Sequence, residues 1–273
     1  RPKEDIPLSS HAYEMYSVST SNFIMGTLDK YNVNVKHPIH MAIPQDLPKW
    51  ITKKFNIDRT TGRFANLGAS EYIWSRANSS KPEDGIFIDV GGWVGDSSIP
   101  SAAFGIDTYV FEPVRENSNL IHTALFANDC HVSEHLTIVN ALVGDTEGGG
   151  TETVIYVPSS RADNAAATKA QATANVGMKE RDYEQPVERV TLDSFFPPGT
   201  KVQNLKIDVQ GYELQVLRGA QRLLKENHGR LHLRFEYDQG LLQAAGTNPP
   251  DVIQFMRDLG YKVLTKNYDV EMK

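Results

Sequence analysis

Between Pro82 and Gly260 the apolar residues fall into two rhythms. Short runs rich in β-branched and aromatic side chains, "GIFIDV" (85–90), "DTYVFEP" (107–113), "LTIVNALVG" (136–144), "NLKIDV" (204–209) and "LHLRFEY" (231–237), read as buried strands. "SSIPSAAFG" and "NSNLIHTALFAND" lie between the first three and have helical length, and "YELQVLRGAQRLLKENHG" follows the fourth. In that last segment Leu214, Val216, Leu217, Ala220, Leu223 and Leu224 recur at spacings that fit 3.6 residues per turn. One helix is predicted there, closed by Gly229, where a left-handed residue fits. "DVIQFMRDLG" (251–260), preceded by Pro249 and Pro250, predicts a last helix, and "YKVLT" a final antiparallel strand. Strands alternating with helices predict an α/β fold, a mostly parallel sheet covered on both faces. In such sheets ligands lie beyond the carboxyl ends of the strands.

The flanks break this alternation. The first 80 residues carry prolines at 2, 7, 38, 44 and 48 and only short apolar patches, and read as a looped or helical extension or cap (1–80) leading into the core (81–273). "ETVIYV" (152–157) and "VERVTL" (187–192) read as paired strands around an Ala-, Thr- and Asn-rich insertion, 159–185. At about 26 residues the insertion exceeds the usual structureless connection, so it is expected to be a lid or a partly ordered surface loop. No internal repeat or heptad array is present.

Composition narrows the class. A chain of 273 residues, 40% apolar and 23% charged, has the profile of a globular protein with one main core. A net charge of −6 and a pI near 5.8 give no global attraction to phosphate backbones or anionic membranes, so nucleic acid is not an expected partner. The single cysteine, Cys130, cannot form an internal disulfide. No apolar run approaches the roughly 20 residues that cross a bilayer. The chain begins at Arg1, which is compatible with removal of a targeting or anchor segment; the cytoplasm is the expected compartment, and a homo-oligomer is compatible with the composition.

The chemistry concentrates at "IFIDVGGWVGDSSI" (86–99), an apolar run that ends in Asp89 and turns through Gly91, Gly92 and Gly95. Absent Cβ atoms are expected to let a ligand approach the backbone, beside the free N–H groups of the next helix. A dinucleotide GxGxxG ending at Gly95 would need glycine at position 90, which is Val90; the pattern is DxGxxxG. An acid at that point suits a ligand with a cationic amino-acid portion, such as S-adenosylmethionine, better than a pyrophosphate. Glu112 closes the next run, where a carboxylate accepts from both ribose hydroxyls of either S-adenosylmethionine or NAD. Asp96, Ser97 and Ser98 either cap the following helix or touch cofactor.

"FIDVGGWVGDSS", "VFEPVREN", "NALVGD", "TLDSF" and "LKIDVQGYELQVLRGA" together resemble the FkbM family of S-adenosylmethionine-dependent methyltransferases, from about residue 84 to 237. The resemblance implies a class I methyltransferase core, a seven-stranded mostly parallel Rossmann-like sheet, and O-methylation of a hydroxyl on a small molecule, sugar or glycan. Carried onto these motifs, it implies cofactor contacts from Asp89, Gly91, Gly92, Trp93, Gly95, Asp96, Ser97, Glu112, Pro113, Asn140, Ala141 and Asp208. Two positions depart from the family pattern: Trp93, commonly small or polar, and Gln210, commonly Glu, which removes an ionic role there.

Moving a methyl group onto an alcohol needs in-line alignment and a route for the hydroxyl proton. Asp208 and Glu236 end the fourth and fifth core runs and are the candidate catalytic pair. Either Asp208 acts alone as a base, or Asp208 and Glu236, with Asp238 or Glu213, hold a divalent cation such as Mg2+. Glu213 also suits a helix start, where the dipole favours an acid. His37 and His40, Tyr212, Trp50 and Trp74 are secondary candidates for the acceptor side, residues whose commoner place is surface or packing, and Asn78 opens a glycosylation sequon of relevance only on a secretory route. Two other classes fit the same sheet: a non-catalytic cofactor-binding or interaction protein with Trp93 filling the cleft, and a nicotinamide-dependent oxidoreductase.

Overall fold

The computed structural model describes residues 13–18, 39–44, 57–58, 63–64, 82–146, 153–157, 169–170, 183–266 and 269–272. Its strands are β1 (Tyr13–Val18), β2 (Ile39–Pro44), β3 (Ile57–Asp58), β4 (Arg63–Phe64), β5 (Ile86–Val90), β6 (Thr108–Phe111), β7 (Leu136–Val139), β8 (Ala141–Val143), β9 (Thr153–Val157), β10 (Lys169–Ala170), β11 (Tyr183–Val190), β12 (Val202–Ile207), β13 (His232–Glu236), β14 (Val263–Lys266) and β15 (Asp269–Met272). Its helices are α1 (Ser98–Ala103), α2 (Arg115–Ala127), α3 (Cys130–His135), α4 (Leu192–Phe195), α5 (Glu213–Arg218), α6 (Gln221–Glu226), α7 (Gln239–Ala244) and α8 (Pro249–Asp258).

Seven strands form the main sheet in the order β14-β15-β13-β12-β5-β6-β7. The five strands from β13 to β7 run parallel, and β15 is antiparallel to both its neighbours. This is the class I methyltransferase arrangement. The chain builds outward through β5, β6 and β7, then returns to β5's other side as β12, so the direction of winding reverses between β5 and β12. Neighbouring residues of β5 serve opposite faces: Phe87 packs with Ile99, Val110 and Ile121, while Ile88 packs with Phe111, Leu205 and Leu217. Burial on both faces explains why these strands read as continuous apolar runs.

Four expectations change. The run 136–144 is two strands in different sheets: β7 stays in the main sheet, whereas β8 pairs in parallel with β11, in a second sheet ordered β10-β9-β11-β8. Asn140 marks the break, its side chain donating to the carbonyls of Glu112 and Pro113. The helix expected after β12 is divided into α5 and α6. At the division Gly219 lies against the Gly144 carbonyl, only 1.9 Å from where a Cβ would stand, and Asp193 caps the second segment by accepting the N–H groups of Arg222 and Leu223. Gly229 is left-handed as expected (φ +84°), three residues beyond the end of α6. The strand near residue 263 is half of a hairpin completed by β15.

The fourth change concerns the first 80 residues, whose described parts are strands. β1 pairs with β2, and β2 buries Ile39, Met41 and Ala42 in the core. Asn128, which closes α2, fixes that strand from outside: its Oδ1 accepts the His40 N–H at 2.9 Å and its Nδ2 donates to the His40 carbonyl at 2.8 Å. The pairing expected around the insertion is present but shifted: β9 pairs antiparallel with residues 183–187 of β11, of which only Val187, opposite Thr153, lies in the expected strand 187–192, while 188–190 pair with β8 and Leu192 opens α4. Among the described residues no helix is long and apolar enough to cross a membrane.

Candidate functional site

Four adjacent parallel strands present carboxylates at one edge of the sheet. Glu236 is the last residue of β13, Asp208 follows β12, Asp89 is the penultimate residue of β5, and Glu112 follows β6. Among the described residues, the two non-glycine positions with positive φ, Trp93 (47°) and Gln210 (56°), also lie on the turns of this edge. Left-handed backbone at bulky residues persists only where the surroundings enforce it, and it clusters at functional sites.

Asp89 is fully buried. Its Oδ1 pairs with Lys206 Nζ at 2.9 Å, and its Oδ2 accepts from the Ser98 hydroxyl. Lys206 also donates to the Gly91 carbonyl at 3.2 Å, so this one ammonium holds both the acid and the turn. Burial opposes the lysine charge, but the carboxylates of Asp89, Asp208 and Asp96 outweigh it and hold Lys206 protonated well above the usual lysine range. The glycines serve the same close fit. A Cβ on Gly91 would stand 1.9 Å from the Asp208 carbonyl oxygen and one on Gly92 2.0 Å from Val110 Cγ2. Bare backbone is therefore required by neighbouring strands at these two positions, which the expectation of ligand approach did not include.

Glu112 organises the other side of the turn. Its Oε2 accepts the Trp93 N–H at 2.8 Å, and its Oε1 accepts from Val114 N–H at 2.9 Å and Asn117 Nδ2 at 3.3 Å. Burial pushes its carboxyl up to about 7, against the pull of those donors and with a small addition from the Asp89 charge. Pro113 contributes its carbonyl, which accepts from Asn140 Nδ2 and, at 2.7 Å, from Gln185 Nε2. Gln185 also accepts the Arg115 N–H, so β11 is tied to the start of α2. Ala141 is buried at the head of β8, and Asp96 and Ser97 are buried in the turn before α1. Ser97 stands at the N-cap position without capping, and its hydroxyl is buried with no hydrogen-bond partner.

On the far side of the winding reversal, Gln210 lies between the expected catalytic pair. Its Nε2 donates to Asp208 Oδ1 at 2.9 Å and to Glu236 Oε2 at 3.0 Å. Glu213 supports the turn from within, its Oε1 accepting from Val209 N–H at 3.2 Å and Gly211 N–H at 3.1 Å. Its other oxygen is buried without a partner, and burial pushes its carboxyl up to about 7. The expected cation site does not assemble. Asp238 caps α7 by accepting the Leu241 N–H, Glu213 is committed to backbone, and an amide fills the space between Asp208 and Glu236. Among the described residues no group of three or more His, Cys, Asp or Glu side chains is arranged to hold a metal. Tyr212 packs on the core cluster of Val114, Leu142 and Val187; burial raises its hydroxyl pKa, as does Asp145, while Arg189 opposes them. His40 lies against α2, and His37, Trp50, Trp74, Asn78 and most of 159–185 fall outside the described residues.

Lys206, Ser98 and Gln185 carry much of this geometry. Lys206 had a visible signal, a cation inside the apolar run "NLKIDV", which needs a buried partner.

The chain matches the Methyltransferase FkbM domain over residues 89–263. It belongs to the FkbM methyltransferase family. The family match begins at Asp89 and takes in all four acidic strand tips, leaving β1 to β4 outside it. Among solved structures, methyltransferase FkbM from Methylobacillus flagellatus KT is similar at 13% identity and a TM-score of 0.41, with 82% of this FkbM chain and 56% of that one covered. The chain thus spans little more than half the length of that protein. Magnesium protoporphyrin IX methyltransferase from Synechocystis PCC 6803, solved with S-adenosylmethionine, is similar at 12% identity and a TM-score of 0.41, with coverages of 93% and 92%. The glycopeptide N-methyltransferase MtfA, also solved with S-adenosylmethionine, stands at 9% and 0.38, with coverages of 75% and 93%. Among curated proteins none matches the chain.

Proposed function

We propose that this FkbM chain is an S-adenosylmethionine-dependent O-methyltransferase acting on a hydroxyl of a small molecule or sugar-containing acceptor. The observation that carries the reading is the row of carboxylates on β13, β12, β5 and β6 at one sheet edge, divided by the winding reversal between β5 and β12. The residues fit the cofactor on the β5–β6 side. A carboxylate has about four acceptor positions, and Glu112 uses three of them on Trp93, Val114 and Asn117, which leaves one for a ribose hydroxyl rather than the two expected from the sequence. The unpartnered Ser97 hydroxyl stands in the adjoining turn.

Bound S-adenosylmethionine supplies a methyl group activated by a sulfonium. Glu112 and the turn 91–97 orient the nucleoside, and Asp89 acts through Lys206 and Ser98 by holding that turn in place. Asp208 would take the proton that the acceptor hydroxyl gives up as the acceptor oxygen gains the methyl group, the electron pair of the broken carbon–sulfur bond staying on the cofactor's sulfur. Glu236 and Gln210 keep the Asp208 carboxylate aimed. Positioning of this kind can supply several kcal/mol of the barrier, and a placed base typically contributes about 10²- to 10⁴-fold.

Calorimetric titration is the test. Micromolar binding of S-adenosylmethionine is expected, with none for NAD, and Glu112→Ala should weaken it about tenfold or more, the equivalent of one charged hydrogen bond. Asp208→Asn should retain binding while abolishing label transfer from radioactive S-adenosylmethionine into a metabolite extract. NAD bound in preference to S-adenosylmethionine would remove the reading.

A further inference from the structure

The amide of Gln210 is placed as a bridge. A single nitrogen, Nε2, lies 2.9 Å from Asp208 Oδ1 and 3.0 Å from Glu236 Oε2, one hydrogen for each carboxylate. Two carboxylates that face one point repel unless something positive or hydrogen-bond-donating stands between them. A divalent cation is one solution, with oxygen ligands at about 2.0–2.6 Å. Here the position is filled by a neutral donor at ordinary N–H···O distances.

The backbone is built to put the amide there. Gln210 is held at φ 56°, and Gly211 follows at φ 101° with the Leu241 carbonyl oxygen 2.4 Å from where a Cβ would stand, so no side chain fits at 211. Glu213 clamps both sides of the turn through the N–H groups of Val209 and Gly211. Glu236 is only 8% exposed, so little water reaches its carboxylate and the Gln210 amide is one of the groups that hold it. A left-handed glutamine with glycine beside it and a buried acid beneath it costs more than a plain turn would, and the bridge is what that conformation delivers.

We propose that Gln210 is a positioning residue that holds Asp208 and Glu236 together as one unit, in the place a divalent cation would take. The role given to the pair rests on the methyltransferase reading above, but the bridge itself is read without acceptor or cofactor. With glutamine side chains labelled with nitrogen-15, the Gln210 amide, assigned by its loss in Gln210→Leu, is expected to show two well-separated proton resonances that exchange slowly with water. Asp208→Asn should move one of them and Glu236→Gln the other. An amide that exchanges as fast as those of exposed glutamines, or that neither variant moves, would overturn the bridge.

Manganese binding followed by paramagnetic resonance tests the second half. The unaltered protein should take up no Mn2+ at this position, whereas Gln210→Glu should gain a saturable site that Gln210→Glu combined with Asp208→Asn loses. Saturable Mn2+ binding by the unaltered protein, abolished by Asp208→Asn, would overturn the claim that the amide takes the cation's place. So would a folded Gln210→Glu that ignores Mn2+. Failure to bind S-adenosylmethionine would sink the methyltransferase reading and leave these results standing, so the two failures are distinguishable.

Discussion

At the scale of single residues, the site depends on buried charges whose partners are few. Among the described residues Lys206 is the cation paired with Asp89, and both are almost fully buried. Removing one member of such a pair strands the other charge, so Lys206→Met is expected to cost about 3–5 kcal/mol in urea unfolding. Converting Asp89 to Asn in the same chain should recover a large part of that loss; a single-variant cost under about 1 kcal/mol would contradict the pairing. Glu213 gives a pH signature. Its carboxyl lies at about 7 in the folded protein against 4.5 for the ordinary group, so the folded state holds the proton more tightly than the unfolded chain. Glu213's contribution to stability is then most favourable below pH 4.5, falls as the pH rises to about 7, and keeps the full penalty above that. Glu213→Gln keeps an acceptor for Val209 and Gly211 without the buried charge. It should match the parent near pH 4.5 and exceed it at pH 8 by up to about 3 kcal/mol. Glu112 titrates over the same range and is common to both proteins, so the difference between them reports Glu213 alone. An equal gain at both pH values would argue against this account.

Among elements, the tight fit of β5 between β6 and β12 decides what the glycine turn tolerates. Gly92→Ala drives a methyl group into Val110, an overpacking expected to cost about 1–3 kcal/mol, and Val110→Ala in the same chain should relieve it. Gly91→Ala meets the Asp208 carbonyl at φ +84°, so no side-chain change should rescue it. Thermal unfolding of the three proteins separates the two cases. The same comparison explains what the sequence made legible. Acids that end apolar strands were readable as Asp89, Glu112, Asp208 and Glu236, because burial and period are local signals. The partners that fix them were not: Gln185 reaches Pro113 and Arg115 from 70 or more positions away, and Asp193, in the short helix α4, divides a periodic helix about 30 positions on. Helical period continues through Gly219 and Ala220, and only the approach of Gly144 shows why the helix stops there.

Across the whole molecule, β2, from the first 80 residues, is integral to the core. Ile39 and Met41 are buried among Phe87, Ile99 and Ile121, and each such side chain contributes roughly 1.5–3 kcal/mol through burial. A chain that starts at residue 81 is therefore expected to lose several kcal/mol and to expose the α2 face, which urea unfolding and dye binding would register. Stability equal to that of the full chain would show β2 to be dispensable. The α/β class was legible from the alternation of strands and helices, whereas β2 was not, because "IHMAIP" lies among prolines and shows no period of its own.

The far edge of the main sheet has a consequence for synthesis. Among the described residues β14 pairs in the sheet through β15 alone, although β15 follows it in the chain. As the polypeptide leaves the ribosome, residues 263–266 can pack Val263 on the core but have no strand to pair with until 269–272 have emerged, so the two join the sheet's hydrogen bonding as a hairpin. Growth of this edge on the nascent chain occurs in one closing event, and a stalled product ending between the two segments would carry β13 with an open flank ready to pair with another molecule.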